Sequence, residues 1–263
     1  MNALRTGGLR GARVLIPRGG RWGERVRADV ERRSGTGVIA PLIASAPPRD
    51  LTARDRAFAR LADGDYAWLF VTSAAAVEQL VAAGVSIPAT TQVAAVGRAT
   101  AHAIAATGSE VSFVPVGASS AARMVAQWCA DRTPTTTGRA LIVRSDLASA
   151  VISDELELRG FDVDVCIGYR TIGVDLEPET AQGLRDGAFD VVLLTSLSVG
   201  RELRRQVPDL SPTTLVASIG PGTTRDAERL GYRVGYTAAS QSIDALVAEL
   251  DTLDPLAHAK ESA

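Results

Sequence analysis

The sequence predicts an α/β protein of two domains, each a parallel sheet covered by helices on both faces. Three observations predict it. Short β-branched runs alternate with longer segments rich in Ala, Leu and Arg almost throughout the chain. About ten such strand–helix units fall within 263 residues, too many for one ordinary open sheet. An internal repeat then divides the array into two copies.

In chain order the strands are read as RVLIP (13–17), GVIAPLI (37–43), AWLFVT (67–72), QVAAV (92–96) and EVSFV (110–114). The second set is ALIVR (140–144), DVDVCIGYRT (162–171), DVVLLT (190–195), TLVASI (214–219) and RVGY (233–236). Most are apolar on both faces, as strands of a fully covered parallel sheet must be. The segments between them carry apolar residues at helical spacing, as in Val77, Leu80 and Val81, or Leu246, Val247 and Leu250.

The repeat keeps one offset. Thr72-Ser73 recurs as Thr195-Ser196, 123 positions later, and Val96-Gly97 recurs as Ile219-Gly220 at the same distance. Thr100 falls on Thr223, Gly108 on Gly231, Val111 on Val234 and Ser119 on Ser242. Residues 131–138, DRTPTTTG, form a polar, turn-rich break between the copies. Taken alone, the repeat divides the chain once, near Thr135.

Composition removes several function classes. The net charge of −2 and a pI near 5.8 count against a general nucleic-acid binder. Cys129 and Cys166 give no disulfide framework and no metal cluster. With His102 and His258 as the only histidines, a His-based zinc site or a Ser-His-Asp triad lacks material. Lys260 is the only lysine, so 27 of the 28 basic residues are arginines. A lysine Schiff base is thereby disfavoured, while guanidinium groups for carboxylates or phosphates are plentiful. No apolar run is long enough to cross a bilayer, and MNALRTGGLRGAR carries no signal-peptide core. The expectation is a reduced, cytoplasmic protein without a membrane partner.

Open parallel sheets bind ligands beyond the carboxyl ends of their strands. The repeat places its hydroxyl residues there. Thr72-Ser73 and Thr195-Ser196 close strands and open helices, and Thr100 and Thr223 follow Gly97 and Gly220 in a first helical turn. Each hydroxyl could cap its helix, or the free N–H groups and positive helix end could hold an anion. Four such loops paired by a repeat favour the anion. Gly220-Pro221-Gly222-Thr223-Thr224-Arg225 resembles a dinucleotide loop, but Arg225 occupies the place of the third glycine. No Walker lysine motif occurs. In the strand at 162–171, period two puts Tyr169 on one face with Val163, Val165 and Ile167, as a core residue or as a functional phenol.

In their order and duplicated spacing, VLIPR, DYAWLFVTSAAAV, VAAVGRATA, ALIVR, VCIGYRT, FDVVLLTSLSVG and SIGPGTT resemble the uroporphyrinogen-III synthase family from Val14 to about Leu250. The resemblance implies two flavodoxin-like domains joined by a two-stranded linker, with the active cleft between them. It places 1–38 with 172–263 in one domain and 46–164 in the other, with 39–45 and 165–171 as the connecting strands.

The implied activity is that of a cofactor-free lyase of heme biosynthesis. It would cyclise hydroxymethylbilane with loss of water and inversion of ring D, giving uroporphyrinogen III. By resemblance, Thr72, Ser73, Thr100, Thr195, Ser196, Ser198 and Thr223 contact substrate carboxylates beside Gly97 and Gly220. Arg18 matches a basic position, and Tyr169 matches a tyrosine assisting departure of the hydroxyl. Ala75 stands where relatives often carry a polar or basic residue, which shifts carboxylate binding to loop amides and to arginines such as Arg98, Arg144 or Arg201. The implied partner is a small linear tetrapyrrole, with no metal and no nucleic acid, and the implied state is a monomer. The competing expectation is a cytoplasmic two-domain binding protein or sensor for a small polyanion.

Overall fold

A computed structural model describes residues 8–117, 120–130 and 138–253. Ser119, residues 131–137, His258 and Lys260 lie outside the described residues. From the amino end the elements are β1 (Arg13–Ile16), α1 (Gly20–Arg32), β2 (Thr36–Ile39), β3 (Ile43–Ala46), α2 (Leu51–Ala62) and β4 (Trp68–Val71). Then come α3 (Ala74–Ala82), β5 (Gln92–Ala95), α4 (Arg98–Ala105), α5 (Ala121–Ala130), β6 (Arg139–Ser145), α6 (Val151–Leu158) and β7 (Asp162–Gly173). The last are α7 (Pro178–Arg185), β8 (Val191–Leu194), α8 (Leu197–Gln206), β9 (Leu215–Ser218), α9 (Pro221–Arg229), β10 (Val234–Thr237) and α10 (Ile243–Asp251).

The chain divides into two units, with boundaries between Ala44 and Ser45 and between Thr171 and Ile172. The first holds the sheet β10-β9-β8-β1-β2, parallel throughout. Its strands, counted in chain order, stand 2-1-3-4-5, the doubly wound arrangement. The sheet β3-β7-β6-β4-β5 carries the second unit, and its pairs β4·β5, β4·β6 and β6·β7 are parallel. Both sheets are covered on both faces, and the central strands β4 and β8 bury every side chain. In β4, Leu69 and Val71 enter one core cluster while Trp68 and Phe70 enter the other. In β8, Val191 and Leu193 separate from Val192 and Leu194 in the same way. Trp128 packs edge-on against Trp68, Phe70 and Phe161, at 5.1, 5.3 and 5.6 Å between ring centres.

The repeat is visible in single hydrogen bonds. Thr91 Oγ1 donates to Tyr66 O and Thr214 Oγ1 to Phe189 O, both at 2.8 Å and 123 residues apart. The turns after α4 and α9 use Gly108 and Gly231 at φ of 85° and 84°, a left-handed conformation that glycine adopts without strain.

A second repeat, absent from the sequence expectations, has an offset of 126. RVLIPR at 13–18 matches RALIVR at 139–144, and Val14 pairs with Val191 of β8 as Ala140 pairs with Trp68 of β4. Thus β1–α1–β2 corresponds to β6–α6–β7, but it precedes its companions in one unit and follows them in the other. The two units are circular permutations of one plan.

Two expected strands differ from the fold. The run 37–43 is divided: β2 stops at Ile39 and β3 starts at Ile43 in the other sheet. Pro41 lacks the N–H needed to continue a ladder there. The run 110–114 makes only an isolated bridge, Phe113 to Ala94. Ser112 Oγ takes the Val93 N–H at 3.2 Å, and a side chain competing for that donor interrupts regular pairing.

Candidate active site

In each unit the candidate residues lie at the carboxyl edge of the sheet, where parallel strands run into helix N-termini. In the second unit, Ser73 follows β4 and caps α3, its Oγ accepting the Ala76 N–H at 3.1 Å. The same Oγ lies 2.8 Å from the Tyr169 hydroxyl oxygen. Tyr169 is only 8% exposed and otherwise packs in the apolar cluster of Leu69, Val71, Val143 and Cys166. Thr72 Oγ1 makes a long contact of 3.4 Å to Val143 O.

Tyr169 does not share a face with Val163, Val165 and Ile167, contrary to the period-two reading. Arg144 of β6 pairs with Ile167, but Ser145 pairs with Tyr169, so Gly168 is an extra residue in β7. Such a bulge reverses the alternation beyond it and re-aims the next side chain. Tyr169 consequently joins Cys166, while Val163 packs on the opposite cluster and Val165 is 41% exposed. A glycine inside a strand is the sequence signal for this bulge. Gly168 also lies tight against the neighbouring strand, since a Cβ there would stand 2.9 Å from Val143 Cγ1.

The loop leaving β6 closes over this edge. Asp146 N–H donates to Tyr169 O at 3.2 Å, and Asp146 Oδ1 accepts the Thr171 N–H at 3.1 Å. Arg144 turns onto the same loop, with Nη1 donating to the carbonyls of Ala148 and Ser149, while its buried Nε has no partner among the described residues. Gly97 precedes α4, and no side chain among the described residues caps this helix N-terminus. Thr100 is buried in its first turn, and Arg98 is exposed beside it.

In the first unit, Ser196 repeats the capping role of Ser73, accepting the Val199 N–H at 3.3 Å, and Ser198 sits in the first turn of α8. Thr195 Oγ1 is buried without a partner among the described residues. Gly220 opens α9, again without a side-chain cap, and Thr223 is buried in the first turn. This loop holds residues that the sequence reading passed over. Ser218 Oγ donates to Gly220 O at 2.9 Å and accepts the Gly220 N–H at 3.3 Å. Thr224 Oγ1 lies 3.0 Å from Ser218 Oγ and 2.7 Å from Thr237 Oγ1. The signal was the polar substitution of Ser218, Thr224 and Thr237 for the repeat partners Ala95, Ala101 and Val114. Arg18 follows β1 with its guanidinium over the Trp22 ring at 5.3 Å. Among the described residues, Arg18, Arg98 and Arg201 form no ion pair.

Of the candidate side chains, hydrogen bonding joins Ser73 to Tyr169 and leaves the others on separate loops. The main charged cluster of the second unit lies at the opposite, amino end of its sheet. There Tyr66 donates to Asp164 Oδ2 at 2.6 Å, and Arg60 reaches the same oxygen at 2.7 Å. Burial, followed by the bond to Asp164, pushes the Tyr66 phenol well above its ordinary value. Burial pushes the Cys166 thiol up to about 12, so it is no nucleophile at neutral pH. Among the described residues no three His, Cys, Asp or Glu side chains gather as a metal site, and no helix is long and apolar enough to cross a membrane.

This fold is that of a known class of two-domain α/β enzymes. A mutant uroporphyrinogen III synthase from the extreme thermophile Thermus thermophilus superposes with a TM-score of 0.62 at 17% identity, over 95% of this chain and 99% of that one. Uroporphyrinogen-III synthetase from Helicobacter pylori gives 0.59 at 14% identity, over 90% and 97%. No curated protein matches the sequence. The family described as uroporphyrinogen-III synthase HemD matches residues 24–248, and the chain belongs to that family of heme-biosynthesis enzymes. Membership favours the tetrapyrrole enzyme over a polyanion sensor.

Proposed function

We propose that the chain cyclises hydroxymethylbilane to uroporphyrinogen III, a lyase reaction that eliminates water and inverts ring D. The observation that carries this reading is Tyr169, a nearly buried phenol at the carboxyl edge of a sheet and hydrogen-bonded to Ser73, in a member of this family. Tyr169 is the general acid. Its proton passes to the hydroxyl on ring A, the C–O pair leaves with the water, and the pyrrole nitrogen supplies electrons to form an azafulvenium cation. Ring D attacks that cation through its substituted carbon, and the resulting spiro intermediate fragments and recloses in the inverted sense. The proton released on rearomatisation returns to the Tyr169 oxygen, which restores the acid.

Eight substrate carboxylates give the protein its second task, to hold a flexible chain in the coiled geometry that closure needs. In this reading the N-termini of α4 and α9, the hydroxyls of Thr72, Thr100, Thr195, Ser196, Ser198 and Thr223, and the guanidinium groups of Arg18, Arg98 and Arg201 share that load. The reading includes a monomer working in the cytoplasm without metal, flavin or nucleotide. Coupling the protein to an enzyme that generates hydroxymethylbilane, then separating the isomers, tests it. The expected product is uroporphyrinogen III, formed equally well with a chelator present. Recovery of the uninverted isomer alone would overturn the assignment.

A further inference from the structure

The geometry points to Ser73 as a positioning residue that turns the Tyr169 proton toward the leaving hydroxyl. The inference rests on the acid role proposed for Tyr169 and reassigns Ser73 from carboxylate binding to that task. Three donors stand in series. The Ala76 N–H, at the positive end of α3, donates to Ser73 Oγ at 3.1 Å, and Ser73 Oγ lies 2.8 Å from Tyr169 Oη. With one lone pair of Ser73 already occupied by the amide, its O–H is free to donate to the phenol oxygen. Tyr169 then keeps its own proton for the substrate, and the phenolate left after transfer retains a hydrogen bond. Each bond in such a chain polarises the next, and the helix end favours the negative charge that develops on the phenol oxygen. In the opposite sense Tyr169 would donate to Ser73, and its proton would be held away from the reaction.

The backbone enforces the pairing. Were Gly168 paired with Ser145 in a regular ladder, Tyr169 would fall one place further on and face the opposite cluster, away from Ser73. The close approach of Gly168 to Val143 and the bond from Asp146 N–H to Tyr169 O fix the strand on both sides of the phenol. The first unit supplies an internal control. Ser196 caps α8 in the same manner, but Ile43 stands 126 residues before Tyr169, so no phenol is available to that serine.

The test is a kinetic cycle of Ser73→Ala and Tyr169→Phe, with Ser73→Thr as the rescue. Ser73→Ala is expected to lower kcat by roughly 3- to 10-fold, the rate equivalent of one neutral hydrogen bond, with KM little changed. In the Tyr169→Phe background the same change should leave kcat where it is, because Ser73 acts through the phenol. Ser73→Thr keeps both cap and donor and should restore kcat. A rise in KM in both backgrounds would mean that Ser73 binds substrate, and a lowered Tm with unchanged kinetics would mean that it only caps α3. Either result overturns the inference. A kcat unaffected by Tyr169→Phe would instead overturn the acid role. A readout independent of turnover is the ultraviolet resonance Raman tyrosine doublet, taken as the difference between wild type and Tyr169→Phe. It should report a phenol that accepts a hydrogen bond in wild type and Ser73→Thr but not in Ser73→Ala, and a phenol that only donates in wild type would refute the proposed direction.

Discussion

The carboxyl edges of the two sheets are built from the same repeated parts, yet they are equipped differently. Both present a Thr-Ser pair after a central strand, with the serine capping the next helix. Both present a glycine that opens a helix and a buried threonine in its first turn. The second unit adds Tyr169 opposite its serine and lines the glycine loop with Ala95, Ala101 and Val114. The first unit has no phenol at that place and ties its glycine loop with Ser218, Thr224 and Thr237. In the proposed function, the first of these differences places a proton donor on one edge, and the second ties down a loop for substrate carboxylates on the other.

If that division is real, substitutions on the two edges should separate in kinetics. The largest effect belongs to Tyr169. A general acid contributes about 10²–10⁴-fold, but a pyrrole nitrogen already expels part of the hydroxyl. Tyr169→Phe is therefore expected to lower kcat by about 10- to 10³-fold while leaving KM and Tm near wild type. Steady-state rates together with a melting curve decide this. A normal rate with a lowered Tm would make Tyr169 a packing residue and erase the contrast between the edges.

Next in size is Ser218, fully buried and bonded to both polar groups of Gly220. Ser218→Ala leaves those groups and Thr224 short of a partner, at a cost of about 1–3 kcal/mol. Denaturant unfolding should show that loss, and KM should rise because the loop is no longer held. The reciprocal change, Ala95→Ser, places a hydroxyl where Ala101 and Val114 offer no side-chain partner, and it should destabilise without improving binding. A stabilising Ala95→Ser would show that the hydroxyl network is not what distinguishes the two loops.

A smaller effect is expected at the paired threonines. A charge-assisted hydrogen bond contributes about 1.5–3 kcal/mol, but eight carboxylates sharing many donors dilute the loss of any one. Thr223→Ala and Thr100→Ala should each raise KM by roughly 3- to 10-fold, with the larger effect at Thr223, whose loop is tied by the Ser218 and Thr224 hydrogen bonds. A fold-preserving loss of all turnover from either change would mean that the residue takes part in the chemistry.

Much of this organisation is legible in the sequence, and what is missed has physical reasons. The 123-residue offset survives because it joins turn and cap positions, where glycine, serine and threonine are demanded by backbone geometry. The 126-residue offset is harder to see. Its copies, RVLIPR and RALIVR, stand in rotated order relative to the other elements, so a search for one continuous period passes over them. The orientation of Tyr169 is missed because strand alternation assumes a regular ladder, and a single residue, Gly168, breaks it. The division at Pro41 is written plainly in the sequence, but apolar residues on both sides disguise it as one strand. Hydroxyl networks such as Ser218–Thr224–Thr237 join residues distant in sequence, and only the assembled sheet brings them together.

The smallest expected effect compares the permuted copies at their most equivalent point, the ends of α1 and α6. Both helices finish with arginine followed by a residue of positive φ: Ser34 at 63° and Gly160 at 83°. The closing bonds match closely. Ser34 N–H donates to Glu31 O and Gly160 N–H to Glu157 O, each at 2.9 Å, and the next amides reach Val30 O and Leu156 O, each at 3.1 Å. The left-handed conformation costs a residue with a Cβ about 1–2 kcal/mol. Glycine removes that strain but gives the unfolded chain extra freedom, a counter-term of about 0.4–1 kcal/mol. Ser34→Gly should thus stabilise by about 0.5–1 kcal/mol, and Gly160→Ser should destabilise by about as much, with kcat and KM unmoved in both. Paired denaturant titrations measure the two signs. If Ser34→Gly destabilised instead, the exposed Ser34 side chain would be making a contribution that the Gly160 turn lacks, and the two turns would not be equivalent.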